Sequence, residues 1–494
     1  MEPYQILLLI VAYFGVLILI SYFTGKGDSN AEFFKANRHA PWYLVAFGMI
    51  GASLSGVTFI SIPGTVETSG FSYFQVVLGY TVGYAVIGQV LLPLYYRLNL
   101  TSIYTYLETR FGAFSYKTGA SFFLLSRIVG ASFRLFLVAN VLQLIVFDAM
   151  GVPYYITVTI TILLIWLYTF KSGIKTIIWT DTLQTLFMLV ALGITMYVIS
   201  EDLGISFHNF FGYLAESEHS KMFFFDDWKS SDYFFKQFIA GAFIAIVMTG
   251  LDQDMMQKNL TCRTLKDAQK NVFWFTIVLT VVNFLFLALG VLLTDYADLN
   301  TILAEKDDLF PAIAASGNLG IAVAIFFILG LIAAAYSSAD SALTALTTSF
   351  SIDILDIEKK YDEAKQVIIR KRIHIGISIL LILVMLLFKY AIADKSVINK
   401  LFQFAGYTYG PLLGLYSFGL FTKWFVKDKW VPVIAILAPL LSYIISANSL
   451  AWFGFEFGFF ILILNGFLTF LGLILIRRKH DQGAGVFESN AVLP

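Results

Sequence analysis

Gly51-Ala-Ser-Leu-Ser-Gly-Val-Thr-Phe-Ile-Ser-Ile-Pro-Gly64 sits inside an apolar stretch that runs from about residue 41 to 66. Its density of Gly, Ser, Thr and Pro is unusual for a helix facing lipid. Two readings follow from the residue types. Small and hydroxyl side chains let helices approach closely, so the stretch could be a tight helix contact. Alternatively the helix opens here, where freed carbonyls can ligate a cation and hydroxyls can bond a solute at mid-membrane.

The surroundings are those of a chain dissolved in lipid. The 494 residues are 58% hydrophobic, 17% aromatic and only 13% charged, against roughly 25% charged in soluble domains. A bilayer core of about 30 Å takes roughly 20 apolar residues per helix, and only helices or closed barrels satisfy their backbone there. The apolar runs therefore predict an all-α polytopic protein. About thirteen spans are expected, near 5–23, 41–66, 72–96, 118–147, 152–170, 175–200, 233–257, 271–295, 312–350, 372–390, 398–422, 430–447 and 451–476. The first run, Ile6 to Phe23, has no basic residues ahead of it and no small-residue cleavage site behind it, so it reads as a retained helix.

Charge totals balance, with 33 basic and 33 acidic residues, and nothing in them suggests nucleic acid. Their placement is asymmetric. Lys26, Lys35, Arg38, Arg97, Arg110, Lys117, Lys171 and Lys175 fall between spans on one side. So do Lys258, Arg263, Lys266, Lys270, Lys359, Lys360, Lys365, Arg370, Lys371 and Arg372, followed by Lys423, Lys427, Lys429, Arg477, Arg478 and Lys479. That is about 24 of the 33, against about six opposite, which places the amino terminus outside and the carboxyl terminus, with a tail over 481–494, in the cytoplasm of a cell (inner) membrane. The outer stretches Phe223 to Trp228 and Asp295 to Phe310 are expected as solvated caps. One cysteine, Cys262, excludes an intrachain disulfide and a thiolate metal cluster.

Span 9 carries Ala334-Ala-Tyr-Ser337-Ser338-Ala-Asp340-Ser341, then Thr344, Thr347 and Thr348. Hard cations take oxygen ligands, and hydroxyls at successive and i+3 positions share a helical face. Ionisable groups inside spans are costly, so Arg134, Asp181, Asp252, Asp254 and Asp340 each need a purpose. Asp252 and Asp254, close to Lys258, are read as an interfacial ion pair or a substrate contact. Asp181 and Asp340 are read as serving ions or as making a structural salt bridge. Arg134 could clamp a carboxylate or pair with one of these aspartates. Gly51, Gly56, Gly64, Gly241 and Gly250 are flexible points or places of close packing.

On these residues the chain resembles the sodium:solute symporter family over roughly 5–480. The matches are the Gly51 to Gly64 stretch, Gly173 with Trp179-Thr180-Asp181 and Gln184, Asp252-Gln253 with Gln257-Lys258, Ser337-Ser338, and Gly410-Pro411 through Gly419-Leu-Phe421. The resemblance implies a LeuT-type five-plus-five inverted repeat in a single domain over 1–480. The repeats would lie near 41–200 and 233–422, with 5–23, 430–447 and 451–476 as extra helices. It further implies inward symport by alternating access, in a monomer, with Na+ as the co-transported ion, one or two per cycle. Carried over by position, one sodium site would use the carbonyls of Gly51, Leu54 and Ala334 with the hydroxyls of Ser337 and Ser338. A second would use Asp181, Asp340 and Ser341. Asp340 stands where a hydroxyl is usual, and two carboxylates could strengthen that site or take a proton instead.

Thr58 and Asp252 stand where the sugar-carrying branch typically has Gln and Asn. Phe133-Arg134 resembles the sialic-acid branch, where the arginine holds the substrate carboxylate. With Ser53, Ser55, Thr58, Asp252 and Gln403, the resemblance implies a small organic solute of that kind, a hydroxylated acid; a neutral sugar, polyol or amino acid is the alternative. No phosphate loop or catalytic triad is visible, so no organic cofactor and no enzyme activity are expected. The rival classes are a membrane enzyme built on the buried aspartates, which would alter its solute, and an ion channel, which would conduct without one.

Overall fold

The computed structural model describes residues 3–24, 29–170, 173–304, 306–315, 317–391 and 397–478. The predicted tail, Glu305, and Lys26, Lys171 and Lys479 of the basic segments lie outside the described residues. Every predicted span contains a helix. The main ones, numbered in chain order, are α1 Pro3–Thr24, α2 Trp42–Ser53, α3 Gly56–Ser69, α4 Ser72–Val86, α5 Ala113–Leu142, α6 Tyr154–Thr169, α7 Ile174–Asp202 and α8 Phe234–Ala245. They continue with α9 Gln253–Asn259, α10 Leu265–Leu299, α11 Gly320–Ser349, α12 Glu363–Ala391, α13 Val397–Phe421, α14 Val431–Phe453 and α15 Ile461–Leu475. Among the described residues nine helices are long and apolar enough to cross a membrane, or eleven if each of two bent pairs counts as one span. Helix α6, at 16 residues, falls short of that length.

The first bent pair is α2 and α3, inclined by 53°. Leu54 (φ −77°, ψ 75°) leaves the helical region, and Ser55 (φ −74°, ψ 173°) is extended. The Ser55 N–H donates back to Ser53 O (3.0 Å), and the ladder restarts with Phe59 N–H donating to Ser55 O (3.0 Å). Pro63 lies inside α3 and does not mark the opening.

The second pair bends by 70° between Phe234–Gly250 and α9. A π-helical turn over Ile246–Gly250 precedes the break, and the Asp252 carboxylate caps α9 by accepting the N–H groups of Asp254 (2.9 Å) and Met255 (3.4 Å). A carboxylate at that position satisfies amides the helix cannot and complements its dipole. Two of the carbonyls released here are bonded: Tyr95 donates its hydroxyl to Gly250 O (2.8 Å) and Tyr104 to Leu251 O (2.9 Å).

The glycines read as flexible points or packing positions are packing positions. A Cβ on Gly51 would stand 2.3 Å from Thr185 Oγ1, on Gly56 2.6 Å from Val138 Cγ2, and on Gly64 2.1 Å from the Lys306 carbonyl. Gly250 would meet Leu91 Cδ1 at 2.5 Å. The outer stretch is exposed over 298–301 and at Leu303, as expected of a cap, and its far end turns inward: the backbone at Lys306 packs against α3 at Gly64, and Asp307 is buried. Helices α4 and α8 touch backbone to backbone, because a Cβ on Gly79 would lie 2.0 Å from Phe238 O and one on Gly241 2.1 Å from Val76 O. With no hydrophobic drive between helices in lipid, such contact supplies the van der Waals packing that holds them. Gly79→Leu or Gly241→Leu is expected to cost at least about 1–3 kcal/mol, read as a lower melting temperature in detergent. Gly193→Leu, on the exposed face of α7 with nothing within 4 Å, is expected to leave the melt unchanged.

Candidate functional site

Helices α7 and α11 bring the buried acids together with the hydroxyl cluster. Asp181, Ser337, Ser338, Asp340 and Ser341 are all buried. Ser337 donates to Asp181 Oδ1 (2.8 Å), and the Ser341 hydroxyl lies 3.5 Å from Asp181 Oδ2 and 3.2 Å from Asp340 Oδ1. Tyr168 of α6 donates to Asp340 Oδ2 (2.9 Å). Lys258 reaches from α9 to Asp181 Oδ2 at 2.6 Å, so it pairs with Asp181 and not with its chain neighbours Asp252 and Asp254. Thr347 and Thr348 are taken up structurally, the first by His374 Nδ1 (2.8 Å), the second by Gln257 Nε2 (3.1 Å).

Ser338 joins this face to the broken helix by donating to Ala52 O (3.3 Å). The Ser55 amide that would continue the helix onto Gly51 O is spent on Ser53 O, and the ladder restarts one residue past Leu54. Among the described residues no donor replaces those lost bonds at the Gly51 and Leu54 carbonyls, whereas tyrosines do so at Gly250 and Leu251 of the second break. Buried carbonyls without donors are able to ligate a cation. Ser337 and Ser338 each spend their proton on a neighbour and keep oxygen lone pairs free, as a hard cation requires. Ala334 lies within an intact stretch of α11.

Beside the break is a cavity bordered by Ser53, Ser55, Thr58, Tyr73, Arg127 and Arg134, among others. Arg134 thus faces the cavity. Its Nε is buried with no partner, and no carboxylate among the described residues lies within ion-pair distance of it. The partner of Asp252 and Asp254 is Arg127, whose Nη2 is paired with Asp254 and whose Nη1 lies 4.0 Å from Asp252 Oδ2. Asp252 also accepts the Tyr409 hydroxyl (2.5 Å). With its oxygens committed to a helix cap, a tyrosine and an arginine, Asp252 is not presented to the cavity. Gln403 is exposed on α13 and does not border it either. Sequence reasoning left out Arg127, although its spacing of two helical turns from Arg134 was a readable signal.

The family model for the sodium:solute symporter family matches residues 33–427. The chain belongs to the sodium:solute symporter family. This symporter is 26% identical over 472 residues to the sodium/sialic acid symporter of Aliivibrio fischeri, covering 93% of this chain and 91% of that one. It is 25% identical over 433 residues to the sodium/sialic acid symporter of Proteus mirabilis, covering 83% of each. A solved structure of a sodium-coupled sialic acid symporter, substrate-bound and outward-open, shares its fold with a TM-score of 0.79 at 21% identity, over 95% of this chain and 97% of that one. The symporter is therefore a multi-pass membrane transporter of the LeuT type, driven by sodium, and not an enzyme.

The Lys258–Asp181 pair yields a stability prediction. Lys258→Met strands two buried carboxylates and is expected to cost about 3–5 kcal/mol. Asp181→Asn added to it is expected to recover part of that loss, and a double-mutant cycle of melting temperatures in detergent checks the coupling.

Proposed function

We propose that this symporter imports a small hydroxylated organic acid, of the sialic acid class, together with two sodium ions. The observation that carries the substrate class is Arg134: a guanidinium bordering the cavity beside Ser53, Ser55 and Thr58, with no carboxylate among the described residues within ion-pair distance. A planar, permanently charged bidentate donor is suited to a carboxylate, and the hydroxyls suit a polyhydroxylated body. The names of the two curated relatives point the same way.

The first sodium is assigned to the carbonyls of Gly51, Leu54 and Ala334 and the hydroxyls of Ser337 and Ser338. The second is assigned to Asp181, Asp340 and Ser341. Charge supports two ions. Asp181 and Asp340 against Lys258 leave one negative charge, while Arg127 and Arg134 against Asp252 and Asp254 cancel. A bound monoanion raises the buried charge to minus two, and two sodium ions return it to zero. Such a cycle carries one positive charge inward and draws about 2.3 kcal/mol per 100 mV from the membrane potential.

Basic residues on the intervening segments support an outside amino terminus and a cytoplasmic carboxyl terminus. The thirteen-span, five-plus-five arrangement is supported by the two breaks, which fall in the first span of each proposed half. Sodium would tie α2 and α3 to α11, complete the cavity and favour the outward-open form; its release inside would free the solute.

The test is uptake of labelled sialic acid into proteoliposomes under an inward sodium gradient. Wild type is expected to accumulate it, with uptake second order in sodium and stimulated by an inside-negative potential. Arg134→Ala is expected to lose uptake at least 100-fold, and Ser338→Ala to raise the half-saturating sodium concentration at least tenfold. Absence of sialic acid uptake by folded wild type would overturn the substrate class in favour of a neutral sugar, polyol or amino acid, and first-order, potential-independent uptake would overturn the second ion.

A further inference from the structure

Arg127 and Arg134 stand seven residues apart on α5, two helical turns or about 10 Å along the axis. Both border the cavity beside the broken helix, and both border a second, smaller cavity with Ser126, Gly130, Phe404 and Tyr409. Helix α5 begins beside the basic segment that carries Arg97, Arg110 and Lys117, so in the proposed orientation Arg127 lies on the cytoplasmic side of Arg134.

The two guanidiniums differ in what holds them. Arg134 has no acid. Arg127 is buried between Asp254 and Asp252, and Tyr409 of α13 closes on Asp252. The cluster thus binds three elements, α5, the segment at the second helix break and α13, across the cytoplasmic end of the cavity. It is incompletely satisfied: Arg127 Nε and Asp254 Oδ1 are buried with no partner. An ion pair with a spare donor and a spare acceptor can exchange one carboxylate for another, because the guanidinium never loses its counter-charge during the exchange. A carboxylate leaving Arg134 for the cytoplasm meets Arg127 next.

We propose that Arg127 is a second, release-side receptor for the substrate carboxylate, and that its pairing with Asp254 and Asp252 is the latch that keeps the receptor shut until the cavity opens inward. The receptor half rests on the acidic substrate proposed above; the latch half does not. When the substrate carboxylate takes the place of Asp254, that acid is released toward the water admitted by the opening. The anion is then at no stage left in the low-dielectric interior without a cation.

The experiment compares wild type, Arg134→Ala and the double variant Arg127→Gln with Asp254→Asn, which removes the latch with no change in net charge and leaves Asp252 on its helix cap and Tyr409. Three quantities are read: sialic acid binding from the outer side in saturating sodium, the KM for sialic acid presented at the cytoplasmic face, and labelling of Ala405→Cys from that face by an impermeant thiol reagent. The labelling is done in a Cys262→Ser background, since Cys262 is the chain's one thiol. For the double variant, outer binding within threefold of wild type, a cytoplasmic KM raised at least tenfold and labelling at least tenfold faster are expected, while Arg134→Ala loses outer binding. Loss of outer binding in the double variant to the extent seen for Arg134→Ala would place Arg127 in the primary pocket and overturn the proposal. Unchanged cytoplasmic KM and labelling would reduce the ion pair to a structural one. If wild type ignores sialic acid, the substrate reading and the receptor half fall together, and the labelling rate still decides the latch.

Discussion

In hydrocarbon a backbone carbonyl that loses its helical donor has no water to turn to, and each such group costs several kcal/mol until something replaces the bond. The two helix breaks meet that constraint differently at particular carbonyls. At Gly250 and Leu251 the replacement is part of the fold, from the hydroxyls of Tyr95 and Tyr104. At Gly51 and Leu54 no donor is built in among the described residues. In the proposed sodium site the cation supplies what those two carbonyls lack, and its binding would set how firmly the broken helix is held against α11.

The buried charges follow a related logic. Lys258 compensates Asp181 and Arg127 compensates Asp254, each across elements far apart in the chain. Asp252 is held by its helix cap, by Tyr409 and by the same Arg127, which leaves the Arg134 guanidinium beside the cavity and one excess negative charge among the acids near the hydroxyl cluster. Uncompensated charge in a low-dielectric interior is expensive and persists where function uses it. In the proposed function the solute carboxylate meets Arg134 and the ions meet the excess negative charge.

Close helix packing sets the mechanical frame. Backbone contact between α4 and α8, and the seat of Gly51 against Thr185, leave these surfaces little room to deform. Packed surfaces of this kind move as bodies, so opening and closing falls to the places where packing gives way to polar or ionic contact: the unwound turn at Leu54 and Ser55, and the Arg127 cluster.

Much of this was legible in the chain. Apolar runs of span length form helices in lipid, so the positions of the long helices follow from hydropathy, and the Gly51 to Gly64 composition marked an opening that backbone angles locate at Leu54 and Ser55. The hydroxyl run from Ser337 was readable because its spacing is helical. Pairing was not. Lys258 was read with Asp252 and Asp254 because they are neighbours in the chain; it bonds Asp181, 77 residues away. Arg134 was left between a clamp and an ion pair, and Asp252 and Gln403 were placed in the substrate pocket. An ion pair is a contact in space, and only the packing of α5 against α9 and α13 decides which arginine the acids take and which is left to face the cavity.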